Sequence, residues 1–330
     1  MEAAEVRLRS RRIVKVIALE EHVFPGDILR SADLDLGLRA GRRAAELDDI
    51  GEGRLRMMDA AGIDVQVLSA LANIVQSLED EKSLAVSAAL NDRMAASVAA
   101  HPDRFKAFAT LPMSAPELAV GEFRRAVLEL GFLGAMIHGQ TNGVFLDHPS
   151  VEPVLACAEE LSVPIYLHPA PPPQSVQDTY YSGLDPELMA ALATSGWGWH
   201  AECGMHVLRM IVAGVFERHP NLQVIVGHMG EGLPFSLARS DDMLSPLLRD
   251  HSLSVAETAR RNVSLTTSGF TTVAPLQCAL AVFGTDRIMF SVDHPFADST
   301  KATKSLMSAP ISPSDLEKIA HGNAERLLGC

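Results

Sequence analysis

Cysteine is scarce in the 330-residue chain: Cys157, Cys203, Cys278 and Cys330 stand far apart, with no Cys-x-x-Cys pair. That spacing argues against a thiolate metal site and fits free thiols in a reducing, cytoplasmic compartment. Positive charge is scarce as well. The 28 Lys and Arg against 41 Asp and Glu give a net charge of −13, and no basic run exceeds the patch Arg7–Arg12. Nucleic acid and an anionic membrane surface are therefore not expected as partners. No uninterrupted apolar stretch is long enough to span a bilayer. The N-terminus carries no apolar segment followed by a small-residue cleavage site, so no signal peptide is expected. No Gly-x-Ser-x-Gly surrounds Ser175 or Ser182, which argues against a serine hydrolase. No glycine-rich phosphate turn follows an early strand, and Gly51-Glu52-Gly53 and Gly196-Trp197-Gly198 lack the strand such a turn needs.

What the chain does have is enough apolar material for a large core: 47% of residues are apolar and 21% charged, with a mean hydropathy of +0.12. Eight β-rich runs recur, at Ile13–Leu19, Val65–Ala70, Phe105–Thr110, Leu133–His138, Val163–Leu167, Leu222–Gly227, Val263–Thr267 and Arg287–Val292. Several are almost continuously apolar, as strands covered on both faces are. Between them lie segments of helical spacing, at Ser83–His101, Glu117–Leu130, Val151–Leu161, Ala201–Phe216, Val273–Phe283 and Ser314–Leu328. Eight strands alternating with helices over this length predict an α/β fold of the (β/α)8 TIM-barrel type. The expected organisation is a short N-terminal extension over 1–12 and one barrel over 13–330, with no internal repeat. Two long loops are expected, from Val23 to Ile50 after the first strand and from Pro169 to Trp199 after the fifth. Long loops in a compact barrel are commonly functional.

Barrel chemistry sits at the carboxyl ends of the strands. There the chain places Glu20, Glu21 and His22, then His138, His168, His228, and Asp293 followed by His294. Glu20 and His22, two apart on an extended segment, point the same way. Closure of the barrel would carry His168 and Asp293 to the same mouth. Two carboxylates and two imidazoles suit one divalent ion, Zn²⁺ or Mn²⁺ with Mg²⁺ also compatible. The bland reading makes them ion pairs, caps and a packed core histidine. In Gly227-His228-Met229-Gly230-Glu231 the glycines allow a sharp turn out of the strand, and Glu231 is placed to hold the second ring nitrogen of His228. His228 reads as a proton-handling or substrate-orienting residue, or as a packed residue beside a helix cap at Glu231.

Taken together, Ala18-Leu19-Glu20-Glu21-His22, Tyr166-Leu167-His168-Pro169, Gly227-His228-Met229-Gly230-Glu231 and Phe290-Ser291-Val292-Asp293-His294-Pro295-Phe296 resemble the amidohydrolase superfamily. More narrowly the chain is similar to its metal-dependent aromatic acid decarboxylases, those of γ-resorcylate, dihydroxybenzoate and 5-carboxyvanillate, related to aminocarboxymuconate-semialdehyde decarboxylase. The likeness runs from about Val16 to Leu328 and takes in Trp197, Glu202, His206 and Arg209. It implies a metal site of Glu20, His22, His168 and Asp293, and a catalytic pair of His228 and Glu231. Two positions depart from the pattern. His294 stands where the family usually has Trp or Tyr, and Val23 then Phe24 stand where it has Phe directly after Glu-x-His; both are expected near the substrate. The strand-four end at His138 has no lysine nearby to bridge two metals, which favours a single ion. Phe24, His138, Arg239, His294 and Phe296 are the candidate substrate-binding residues. Arg239 could equally pair with Asp241 or Asp242.

The reaction so implied is nonoxidative decarboxylation of an ortho-hydroxy aromatic acid. Loss of CO2 from an arene would leave an aryl anion, so the ring carbon must be protonated first. Asp293 is the expected acid, with His228 orienting the substrate. Hydrolysis of a lactone or amide by the same residues is the alternative. The expected assembly is a homodimer or homotetramer, with the stretch Arg239 to Leu248 near the interface.

Overall fold

The computed structural model describes residues 14–330. The basic patch Arg7–Arg12, the extension expected over 1–12 and the first residue of the first expected strand, Ile13, lie outside the described residues. Eight parallel strands follow one another: β1 (Ile17–Val23), β2 (Val65–Ala70), β3 (Phe105–Ala107), β4 (Ala135–His138), β5 (Ile165–His168), β6 (Val224–Val226), β7 (Val263–Thr266) and β8 (Ile288–Met289). They form two hydrogen-bonded sets, β1-β2-β3 and β4-β5-β6-β7-β8. Parallel bridges join the sets at both seams, Ala109 with Ala135 and Glu21 with His294, so the strands close into a ring. This is the expected barrel.

Alternation along the strands divides the core in two. Ile17, Leu19, Val67, Met136, Tyr166, Ile225 and Met289 pack together with Phe108 in the lumen, and Ala324 and Leu328 of the C-terminal helix Asn323–Leu328 join them. Ala18, Leu68, Ile137, Leu167 and Val226 face the other way, toward a helical layer that includes Met58, Leu90, Phe123, Leu155 and Val207. Both faces of each strand are therefore dry, which is why the runs read as continuously apolar. Truncating one such leucine to alanine is worth about 2–5 kcal/mol. Among the described residues no helix is long and apolar enough to cross a membrane.

Two local outcomes bear on the site. β1 runs on to Val23, so Glu20, Glu21 and His22 lie inside the strand instead of after it. The two long connections also hold more structure than expected. Short helices occupy Gly26–Ser31, Gly37–Gly41 and Ala44–Asp48 in the first, and Gln174–Tyr180 and Pro186–Ala193 in the second. The first is tied down by Arg54, which is 2% exposed. Its guanidinium donates to the carbonyls of His22 (2.6 Å), Asp49 (2.8 Å) and Glu46 (3.2 Å).

Candidate metal centre and active site

The carboxyl half of β1 directs Glu20 and His22 into the barrel mouth, where both are fully buried. Glu20 divides its two oxygens. Oε2 accepts hydrogen bonds from the hydroxyls of Tyr166 and Ser268, while Oε1 makes none. Oε1 instead faces His168 Nε2 at 3.1 Å and His22 Nε2 at 3.8 Å. The imidazoles are held by their other nitrogens: His168 Nδ1 donates to the Pro169 carbonyl at 2.7 Å, and His22 Nδ1 meets Ser69 Oγ at 3.3 Å. His22 Nε2 has no hydrogen bond and lies 3.3 Å from Asp293 Oδ1. One ligand atom each from Glu20, His22, His168 and Asp293 falls within 4.8 Å of all the others.

Asp293 is stitched to β1 on both sides. Its own N–H donates to the Glu20 carbonyl at 3.1 Å, and the His22 N–H donates to the His294 carbonyl at 2.7 Å. Its backbone adopts a left-handed φ of 74°. Non-glycine residues in that region cluster at functional sites, and His228 (49°), Met229 (56°) and Glu231 (54°) share it. Gly227 is required for close approach: a Cβ there would sit 2.6 Å from Glu20 Oε2.

These atoms fit a divalent cation. Two unbonded buried ligand atoms, Glu20 Oε1 and His22 Nε2, converge with a carboxylate and a second imidazole whose outer nitrogens are already satisfied, as metal-binding histidines require. The electrostatics ask for positive charge at that point. Burial alone would depress His22, but the nearby carboxylates of Asp293 and Glu20 outweigh it and lift its pKa to about 9. Burial would raise Glu20; the facing imidazoles of His228, His168 and His22 outweigh it and hold Glu20 well below the usual carboxylate range. Behind the strand, burial pushes Glu21 up to about 8 against the pull of the Val292 amide and Arg54. Glu21 bonds Gln66 (2.7 Å) and the Val292 N–H (2.9 Å) and takes no part in the cluster.

His228 stands on the far side of the mouth. Nδ1 hydrogen-bonds Glu231 Oε1 at 2.6 Å, and Nε2 lies 3.7 Å from both Asp293 Oδ2 and Glu20 Oε1. Burial opposes its charge, but Glu231 and Glu20 raise its pKa well above the ordinary histidine value. Asp293 moves the other way. Burial would raise it, and the neighbouring imidazoles of His22 and His228 prevail and lower it. The resting pair is thus an imidazolium beside a carboxylate.

Above these groups lies a cavity of about 160 Å³, bounded by His168, His228 and Asp293 and walled by Leu71, Ile74, Trp199 and Phe296. An apolar cavity of about 150 Å³ accepts a benzene ring. His138 also lines it, with both ring nitrogens buried and unbonded. Burial, aided by His168 and His22, drives its pKa well below the ordinary value, so it presents a neutral ring with one donor and one acceptor.

The structure therefore brings together Glu20, His22, His168, Asp293, His228, Glu231, His138 and Phe296. Three other substrate-binding candidates go elsewhere. Phe24 belongs to the helix-side core, 1% exposed, its N–H bonded to the Leu47 carbonyl; β1 ends at Val23, so the alternation that aims Glu20 and His22 does not extend to it. His294 does not line the cavity and contributes its backbone carbonyl to His22. Arg239 is exposed on the helix Leu233–Leu244, away from the cavity, and Asp241 is engaged by Ser245 Oγ and the Ala256 N–H. Two participants escaped the sequence reading. The Tyr166 hydroxyl had a signal, since a tyrosine at an inward strand position needs a buried partner. His200, which bonds Glu231, had none.

The amidohydrolase family, Amidohydro_2, matches residues 22–330. The chain belongs to this family. Its similar relatives include the decarboxylase orsB of Emericella nidulans, 36% identical over 330 residues that cover 95% of this chain and 96% of that one. Another is the γ-resorcylate decarboxylase of Rhizobium radiobacter, 36% identical over 323 residues, 94% and 97% of the two chains. Among solved structures, 2,6-dihydroxybenzoate decarboxylase complexed with 2,6-dihydroxybenzoate superposes with a TM-score of 0.86 at 35% identity, covering 96% of this chain and all of that one. The dihydroxybenzoic acid decarboxylase of Polaromonas sp. JS666, solved with manganese and the inhibitor 2-nitroresorcinol, gives 0.87 at 34% identity and covers 96% and 97%. This amidohydrolase thus groups with decarboxylases, which makes it a carboxy-lyase, and its cluster suits the same class of divalent ion.

Proposed function

We propose that this amidohydrolase decarboxylates an ortho-hydroxybenzoate nonoxidatively, with one divalent ion held by Glu20, His22, His168 and Asp293. The observation that carries the reading is the convergence of the unbonded Glu20 Oε1 and His22 Nε2 with His168 and Asp293, two residues that border a ring-sized cavity together with His228. Relatives that act on dihydroxybenzoates support the substrate class.

Held by these four residues, the ion would supply positive charge to an anionic aromatic acid in the cavity. The protein does the rest. Leu71, Ile74 and Phe296 enclose the ring and exclude water. His138 offers its neutral imidazole to a second ring hydroxyl. At rest the proton is stored on His228, held there by Glu231 and Glu20. It passes to Asp293, whose Oδ2 lies 3.7 Å away, and from Asp293 to the carboxyl-bearing ring carbon. The C–C bond then breaks, its electron pair returns to the ring, and CO2 departs. One proton is consumed per turnover.

Four free cysteines support a cytoplasmic site of action, and exposed apolar side chains at Phe235, Met243 and Leu247 support a homo-oligomer. The test of the activity is direct. Manganese-loaded protein is given 2,6-dihydroxybenzoate in H2¹⁸O. Release of CO2 with the matching phenol is expected. Turnover of a lactone with ¹⁸O in the acid product, and no CO2 from any hydroxybenzoate, would replace this reading with the hydrolytic one.

A further inference from the structure

Three side chains from two distant segments meet behind the mouth. The turn after β6 supplies His228 and Glu231, and the first turn of the helix Gly198–Val212 supplies His200. His228 Nδ1 bonds Glu231 Oε1 at 2.6 Å, and His200 Nδ1 bonds Glu231 Oε2. The buried carboxylate thus carries one imidazole on each oxygen. The other ring nitrogen of His200 is held in turn, accepting the Trp199 Nε1–H at 3.2 Å when neutral or donating to the Ser195 carbonyl oxygen at 3.1 Å when protonated. The helix lies hard against this carboxylate's own backbone, since a Cβ on Gly204 would come within 2.7 Å of the Glu231 carbonyl oxygen.

Behind these groups lies a second cavity of about 510 Å³, separate from the substrate cavity. His200, His228 and Glu231 border it, and its walls are largely apolar, with Trp197, Phe235 and Phe270 among them. A carboxylate anchored by one oxygen can rotate about its terminal bond, and one facing an open cavity takes on water. Either event would loosen the hydrogen bond that sets the tautomer and direction of His228.

We propose that His200 is a positioning residue for His228: it clamps the second oxygen of Glu231 and shields that carboxylate from the second cavity, so that His228 Nε2 stays aimed at Asp293. The inference rests on the reading of His228 as a reacting group. It adds a third member to the His228–Glu231 pair and gives the second cavity a consequence for the first.

The experiment compares His200→Ala, His200→Gln and His228→Asn in the metal-loaded protein, each checked for metal content and unfolding midpoint. His200→Ala should lose kcat on the order of 10- to 100-fold, with KM changed much less than kcat, because His200 does not itself line the substrate cavity. Imidazole added to His200→Ala should restore part of kcat by entering the second cavity. His200→Gln, whose amide can donate to Glu231, should retain more activity than His200→Ala. A purely structural role would respond to neither. Native kcat in His200→Ala beside a crippled His228→Asn would overturn this inference alone. A loss that neither imidazole nor Gln relieves, and that follows a lowered unfolding midpoint, would overturn it too. Native kcat in His228→Asn would remove both readings together.

Discussion

Leu19 and Glu20 are consecutive in β1, yet both turn into the barrel. Leu19 packs in the lumen with Tyr166, and Glu20 Oε2 accepts the Tyr166 hydroxyl. The cause is a register shift. Ala18 pairs with Gln66 and Glu21 with Leu68, so two residues of β1 oppose the single Val67 of β2. A bulge of this kind resets the alternation. Without it, the inward phase of Ile17 and Leu19 would continue to Glu21 and leave Glu20 and His22 on the helix side. With it, Glu20 and His22 enter the mouth and Glu21 turns back to Gln66.

That geometry predicts how the metal is held. Exhaustive chelation should remove one divalent ion per chain, abolish turnover and lower the melting temperature, and manganese should restore all three. An ion present at 100 times its Kd contributes about 2.7 kcal/mol of stability. Glu20→Gln should weaken metal affinity at least on the order of 10- to 100-fold. Elemental analysis is the check, and fully active protein without stoichiometric metal would refute the assignment.

The resting imidazolium of His228 beside the carboxylate of Asp293 separates their roles. Asp293→Asn should still bind substrate but lose turnover on the order of 10²–10⁴-fold, as for a positioned acid. His228→Ala should lose turnover and also bind substrate more weakly. Exchange of the product's ring hydrogen in D2O should vanish in Asp293→Asn and persist weakly in His228→Ala; the reverse pattern would give the final proton transfer to His228. Because the His228 pKa is raised, its proton is in place at neutral pH and is lost as pH rises through that raised value. Turnover should therefore hold near neutrality and fall on the alkaline side.

Acid stability should depend on His206. This residue is fully buried, and its Nε2 accepts the Leu146 N–H at 2.8 Å, which requires a neutral ring. Burial lowers its pKa to about 3. The unfolded chain takes up the proton below about 6.5 while the folded chain does not, so stability present above that pH is lost as pH falls toward 3. Between pH 7 and pH 5 the loss from this one group is about 2 kcal/mol. Urea titrations of His206→Gln should show lower stability at pH 7 and a shallower decline; an unchanged decline would exclude His206 as the source.

Assembly is predicted from the surface of the helix Leu233–Leu244 and the turn beyond it. Phe235 is 90% exposed, Leu247 72% and Met243 52% in the single chain, an apolar set that monomers seldom leave open. Sedimentation should show a homodimer or homotetramer, and Phe235→Glu combined with Leu247→Lys should shift it toward the 35.5 kDa monomer. A parent protein that already sediments as a monomer would contradict this.

The barrel and the polar residues gathered at its mouth were legible because both depend on short-range pattern. Continuously apolar runs mark strands covered on two faces, and the polar residue that ends each run falls at the carboxyl mouth. Glu20, His22, His168, His228 and Asp293 all follow from that rule. Phe24 and His294, expected near the substrate as sequence neighbours of mouth residues, do not line the cavity: Phe24 follows the end of β1 and packs in the helix-side core, and the turn at Asp293 leaves His294 giving its carbonyl to the His22 N–H. What only the tertiary structure decided is which remote atoms complete each group. Tyr166 and Ser268, far from Glu20 in sequence, occupy one of its oxygens and leave the other open. His200, from the end of a connection that carries no strand signal, closes on Glu231. Sequence spacing specifies the direction of a side chain within an element. Which side chains meet across the mouth depends on barrel closure and on a one-residue bulge, and both arise from contacts between segments that local pattern does not encode.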